Sequence, residues 1–125
     1  MMILLIEDNE QNRYLMRFLL ESHGYRVTAA VDGPSGLEAA RQCAPRAILL
    51  DIQLPRMDGY AVARALRQLP EIARTPIIAV TSYAMPGDRE KALEAGCTGY
   101  IEKPINPETF IAEMERVITE CEVTR

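Results

Sequence analysis

The chain has 125 residues, 48% hydrophobic and 26% charged, with a formal net charge of -4, the balance of one compact domain that can build a core. That acidity excludes a large nucleic-acid footprint, which needs a basic face. Three scattered cysteines without CxxC spacing and a single histidine, His23, exclude a disulfide framework, a zinc site and an ordinary catalytic triad.

The opening run MMILLI has no basic region before it and no cleavage site after it, and it is too short to span a bilayer. It reads as the first strand, over 2–6, of a cytoplasmic chain that forms a single domain over 1–125 with no output domain. NEQNRYLMRFLLESHG follows as a helix, with Asn9 as N-cap, Leu15, Phe18 and Leu19 facing inward and Gly24 as the stop. His23 falls in its last turn, where the helix dipole favours it. A second strand over 27–30 precedes GPSGLEAARQCA, a helix starting near Pro34 and Ser35 with Leu37, Ala40 and Cys43 inward. Cys43, Cys97 and Cys121 read as reduced, structural thiols.

The third strand, 47–50, runs into Asp51, and Gly59 supplies a tight turn before GYAVARALRQL, a helix with Val62, Leu66 and Leu69 on its apolar side. A strand over 77–80 leads to PGDREKALEAG, which starts at Pro-Gly-Asp and stops at a glycine. A weaker strand over 99–101 leads to NPETFIAEMERVITE, with Asn106 before Pro107 and a stripe of Phe110, Met114, Val117 and Ile118. Several of the strands are apolar on consecutive residues, the pattern of parallel strands covered on both faces. Five βα units with right-handed crossovers then give an open, doubly wound α/β sheet.

Each strand but the second ends on a polar group. MMILLI ends at Glu7-Asp8, AILL at Asp51, IIAV at Thr81 and GYIE at Lys103. In an open α/β sheet, ligands bind beyond the carboxyl ends of the strands, so three carboxylates, a hydroxyl and an ammonium share one rim. Such carboxylates repel unless a cation offsets them, and oxygen donors suit Mg²⁺, which keeps free positions for phosphoryl oxygens. Beside that ion Asp51 can act as nucleophile and form an aspartyl phosphate, while Lys103 balances one phosphoryl oxygen and Thr81 donates to another.

The motifs LLIEDN, ILLDIQLPRMDG, IIAVTSYA and GYIEKPI, in this order, resemble the receiver domains of two-component response regulators over essentially the whole chain. The details EDN, AVTSYAMPGD and AGCTGYIEKPI look most like CheY-like receivers of the single-domain DivK type and of hybrid kinases. The resemblance implies a flavodoxin-like three-layer (βα)5 sandwich with strand order 2-1-3-4-5. It implies Asp51 as phosphoacceptor and a Mg²⁺ or Mn²⁺ ion held by Asp8, Asp51 and the backbone carbonyl of Gln53, with Glu7 acting through a metal-bound water. Thr81 and Tyr100 match the family's switch pair. Lys103 would contact the phosphoryl group, and its bond to Pro104 would be cis. Tyr83, two residues after Thr81, is expected to slow water attack on the acyl phosphate.

By the same resemblance the protein is not a turnover enzyme but an acceptor that assists its own phosphorylation and dephosphorylation. A histidine kinase or histidine phosphotransfer protein would meet the first helix and nearby loops. A downstream protein would read the face made by the fourth helix, fifth strand and fifth helix. Direct DNA binding and membrane association are not expected, and the chain is expected to be a monomer or weak dimer. Three alternatives compete. A Mg²⁺-dependent aspartyl-phosphate phosphohydrolase would carry a second aspartate where Gln53 stands, and a cap insertion. A flavin-phosphate module would need a glycine-containing loop in place of EDNEQN. A degenerate receiver would lack the Asp51, Thr81 and Lys103 set.

Overall fold

In a computed structural model the described residues are 1–54, 57–82 and 87–123. Among them, β1 (Met2–Ile6), β2 (Arg26–Ala30), β3 (Ala47–Asp51), β4 (Ile77–Thr81) and β5 (Gly99–Glu102) alternate with five helices. These are α1 (Glu10–Ser22), α2 (Gly33–Cys43), α3 (Gly59–Arg67), α4 (Asp88–Glu94) and α5 (Phe110–Val123). All strand pairs are parallel and the order is β2-β1-β3-β4-β5, the flavodoxin-like arrangement. Tyr83 and Pro86, to which the sequence assigned a kinetic role and the start of the fourth helical stretch, lie outside the described residues.

Side chains alternate across the sheet, so each strand feeds two cores. Ile3, Leu5, Leu49, Ile78, Val80 and Ile101 join α1 and α5 through Met16, Leu20, Phe110 and Met114. Leu4, Ile6, Ile48, Leu50, Ile77 and Ala79 join α2, α3 and α4 through Ala40, Val62, Leu66 and Ala92. Every residue of β3 and β4 is buried, which explains their continuous apolar runs.

Local signals set most helix ends. Asn9 caps α1 by accepting from the Asn12 N–H at 2.9 Å, and His23 closes it, with its ring Nδ1 3.0 Å from the Leu19 carbonyl. The second helix starts at Gly33, with Pro34 and Ser35 in its first turn as the sequence suggests. Asp32 is its N-cap and forms a capping box with Ser35, the third helical residue. Asn106 organises the turn before α5, whose regular helix begins at Phe110 rather than beside Pro107.

Two expectations are corrected. Phe18 is 56% exposed, and the buried side of α1 is Met16, Leu19 and Leu20. Gly59 serves as the first residue of α3 and not as a free turn. A Cβ there would lie 2.4 Å from the Ile52 Cα, and the Gly59 N–H donates to the Ile52 carbonyl at 3.1 Å. Glycine is required because α3 begins in backbone contact with the loop after Asp51. No disulfide joins Cys43, Cys97 and Cys121, and burial pushes the Cys97 thiol up to about 11. Among the described residues, no helix is long and apolar enough to cross a membrane.

Candidate functional site

Strand register builds the site. Leu5 and Leu49 sit opposite each other and face α1 and α5, so Glu7 and Asp51, two residues on, emerge toward that side at the carboxyl end. Ile101 faces the same way, and two residues further Lys103 reaches back between the carboxylates. Its Nζ lies 2.9 Å from Glu7 Oε1 and 3.4 Å from Asp51 Oδ2. The Lys103–Pro104 peptide bond is cis.

All three charged groups are withdrawn from water. Glu7 is 0% exposed, Asp51 3% and the Lys103 side chain 10%. Two buried carboxylates share one ammonium, so one negative charge is left without a full partner. Burial, and after it the neighbouring Asp51, raises Glu7 from 4.5 to about 7, with Lys103 pulling the other way. Glu7 Oε2 accepts from the Asn9 N–H at 3.1 Å. Glu7 Oε1 has Lys103 nearby but no hydrogen bond of good geometry among the described residues.

Crowded, buried carboxylates with only one ammonium between them fit a hard divalent cation. Carboxylate oxygens of Glu7, Asp8 and Asp51 lie within 4.8 Å of one another, with Asp8 exposed, the donor type that Mg²⁺ prefers. Gln53 stands beside them, its N–H donating to Asp51 Oδ1 at 2.9 Å. The cleft is about 590 Å³ and is closed on its α1 side by Asn9 and Asn12.

Thr81 and Tyr100 sit apart from the carboxylate group. Tyr100 lies opposite Ala79, and Thr81 opposite Glu102, so both side chains point toward the α3 and α4 face. Thr81 is 1% exposed and lines a neighbouring depression with Gln53, Tyr60 and Asp88. Tyr100 is half-buried against the α2–α4 core, and burial raises its phenol. The rim therefore splits: Glu7, Asp51 and Lys103 meet directly, and Thr81 adjoins them from the other side of the sheet.

The sequence reading missed two groups. Arg13 Nη1 donates to the carbonyls of Glu7 at 3.1 Å and Asp8 at 3.3 Å, fixing the turn that presents both carboxylates. Ser82 meets the Gln53 side chain. Arg13 sits one turn into a capped helix and could have been found from that spacing. Ser82 and Gln53 are 29 residues apart, and nothing local announces them.

A parallel sheet of order β2-β1-β3-β4-β5 whose carboxyl rim gathers acidic groups around a lysine is the arrangement of a receiver domain. The chain belongs to the response regulator receiver domain family, whose model matches residues 3–115. It is 42% identical over 109 residues to the polar-differentiation response regulator DivK of Brucella anthropi, covering 87% of this chain and 89% of that one. The chemotaxis response regulator CheY4 of Vibrio cholerae superposes with a TM-score of 0.89 at 30% identity, covering 93% and 97% of the two chains. The receiver domain of a sensor histidine kinase from Pseudomonas aeruginosa, with magnesium coordinated in its active-site cleft, is 40% identical. It gives a TM-score of 0.82 over 95% of this chain and 94% of that one. Receiver domains of two-component systems work with histidine kinases and downstream targets and are typically not turnover enzymes.

Proposed function

We propose that Asp51 accepts a phosphoryl group from a phosphohistidine and that the modified protein signals through protein contacts. The observation that carries this reading is the buried Lys103 ammonium facing carboxylates from two strands, Glu7 at 2.9 Å and Asp51 at 3.4 Å.

An Asp51 carboxylate oxygen forms the O–P bond as the donor's P–N bond breaks. The electron pair returns to the imidazole nitrogen, which is protonated by water. Glu7, Asp8, Asp51 and the Gln53 carbonyl would hold Mg²⁺, or Mn²⁺ in its place, Glu7 through a bound water. Held by these residues, such an ion would supply positive charge against the transferring phosphoryl oxygens. Lys103 moves its ammonium onto a phosphoryl oxygen when Glu7 is satisfied elsewhere. Thr81 supplies a hydroxyl from the adjoining strand, and Tyr100, on the same face of the sheet, follows it inward. The same residues assist loss of the group to water.

For a partner, α1 offers Tyr14 and Phe18, 71% and 56% exposed, on its outer face, while Asn9 and Asn12 line the cleft. That face suits a histidine kinase or phosphotransfer helix; α4, β5 and α5 are left for a downstream protein.

Incubation with a small phosphodonor and Mg²⁺, followed by intact mass, tests the reading. One phosphoryl adduct is expected, lost with chelator and absent in Asp51→Asn. An adduct that survives Asp51→Asn, or none under any condition, overturns it; steady release of phosphate from small monoesters would favour the phosphohydrolase.

A further inference from the structure

The Gln53 side chain has a place of its own. It leaves the loop after β3 and crosses to the residue after β4, where Oε1 accepts from the Ser82 hydroxyl at 2.7 Å and from the Ser82 N–H at 3.3 Å. The backbone N–H of the same residue donates to Asp51 Oδ1 at 2.9 Å. Asp51, Gln53 and Ser82 are thus linked in series across the mouth of the cleft, which all three line.

Asp51 lies opposite Val80 in the sheet, two residues before Ser82. A phosphoryl group on Asp51 adds acceptor oxygens and no competing neutral donors. The Ser82 hydroxyl and N–H are donors within the same mouth, and in the unmodified protein both are taken by a neutral carboxamide oxygen. An anionic phosphoryl oxygen makes the stronger, charge-assisted bond to such donors.

We propose that the Gln53 side chain is a removable plug. Its Oε1 holds the Ser82 donors that a phosphoryl oxygen on Asp51 takes over, so the Gln53–Ser82 contact and the phosphorylated state exclude each other. This rests on Asp51 as the phosphoacceptor. The contact stabilises the unmodified form, so it slows acquisition of the phosphoryl group and hastens its loss. It also makes phosphorylation the event that uncouples the loop after β3 from Ser82.

Gln53→Met keeps length and bulk but replaces the carboxamide oxygen by a weak thioether acceptor, and Ser82→Ala removes the shorter of the two contacts. With a small phosphodonor and Mg²⁺, adduct formation in Gln53→Met is expected to be about 2- to 10-fold faster than in the parent, the size of one net hydrogen bond. Ser82→Ala frees Gln53 Oε1 but also removes a donor that the phosphoryl oxygen takes over, so it should form the adduct more slowly than Gln53→Met. The double variant should likewise be slower than Gln53→Met, because it lacks that hydroxyl. In the unmodified, metal-free protein, hydrogen exchange at the Ser82 amide should quicken in Gln53→Met. An unchanged or slower rate in Gln53→Met, unaltered Ser82 exchange, or a double variant as fast as Gln53→Met would each overturn the plug while the adduct still forms. No adduct in any of the proteins removes the phosphoacceptor reading, and the plug with it.

Discussion

The two ends of the sheet treat buried charge in opposite ways. At the amino end of β4 and β5 the Arg67 guanidinium donates to the carbonyls of Gly96 at 2.8 Å, Ile72 at 2.7 Å and Thr75 at 2.7 Å, and to the Thr98 hydroxyl at 3.1 Å. Gly96, at φ +108°, leaves room for it, since a Cβ there would lie 2.6 Å from Arg67 Cγ. A planar cation with its donors matched to fixed carbonyls stitches α3 to the starts of two strands. At the carboxyl end, Lys103 is divided between two carboxylates, and Glu7 keeps one oxygen without a good hydrogen bond. A satisfied charge holds the fold, whereas an unsatisfied one is held ready for a ligand.

The sharpest way to break this contrast is to delete charge at each end. Arg67→Met strands several part-buried carbonyls and should cost roughly 1–3 kcal/mol in urea unfolding, while the folded fraction still takes up the phosphoryl group. Glu7→Gln should do the reverse. At about pH 8, without metal, it removes a carboxylate that burial opposes and should stabilise the protein by about 1–3 kcal/mol. The same variant should lose most of the thermal shift that Mg²⁺ gives the parent. Destabilisation by Glu7→Gln would mean that the carboxyl end is a structural ion-pair cluster like its counterpart.

A smaller effect follows from pH. Between 4.5 and about 7 the native Glu7 keeps a proton that the unfolded chain gives up. Its contribution is therefore full below the lower value and is lost as pH rises through the upper one. In chelator, melting temperature should fall from about pH 5 to about pH 8 on this account. Proton and cation compete for the same oxygens, so the stabilisation given by Mg²⁺ should grow across that range. A metal-induced shift independent of pH would detach Glu7 from the cation.

The sequence was legible where one residue decides the outcome. Glu7, Asp51 and Lys103 each follow an apolar run, and a period of two fixes the face on which each emerges. It was illegible where several choices were equivalent or where partners are distant. From Tyr14 to Leu20 only Arg17 interrupts the apolar residues of α1, so periodicity could not choose between a stripe through Phe18 and the one through Met16 and Leu20. The start of α2 near Pro34 and Ser35 was legible, but Asp32, the cap itself, was not singled out. The Arg67 contacts span up to 31 residues and the Gln53–Ser82 contact 29; tertiary closure alone makes them.

Register has a consequence for how this chain tolerates change in length. Leu50 is level with Ile6, Asp51 with Val80, and Thr81 with Glu102. Deleting or inserting one residue inside β3 would turn the Asp51 side chain toward α3, away from Glu7 and Lys103. The same change in β5 would swap the directions of Tyr100 and Lys103. Substitutions of similar bulk within these strands leave every side chain pointing as before. A library of single-residue insertions should therefore show a sharp boundary, with phosphoryl uptake erased inside the strands and retained in exposed turns such as that at Gly24.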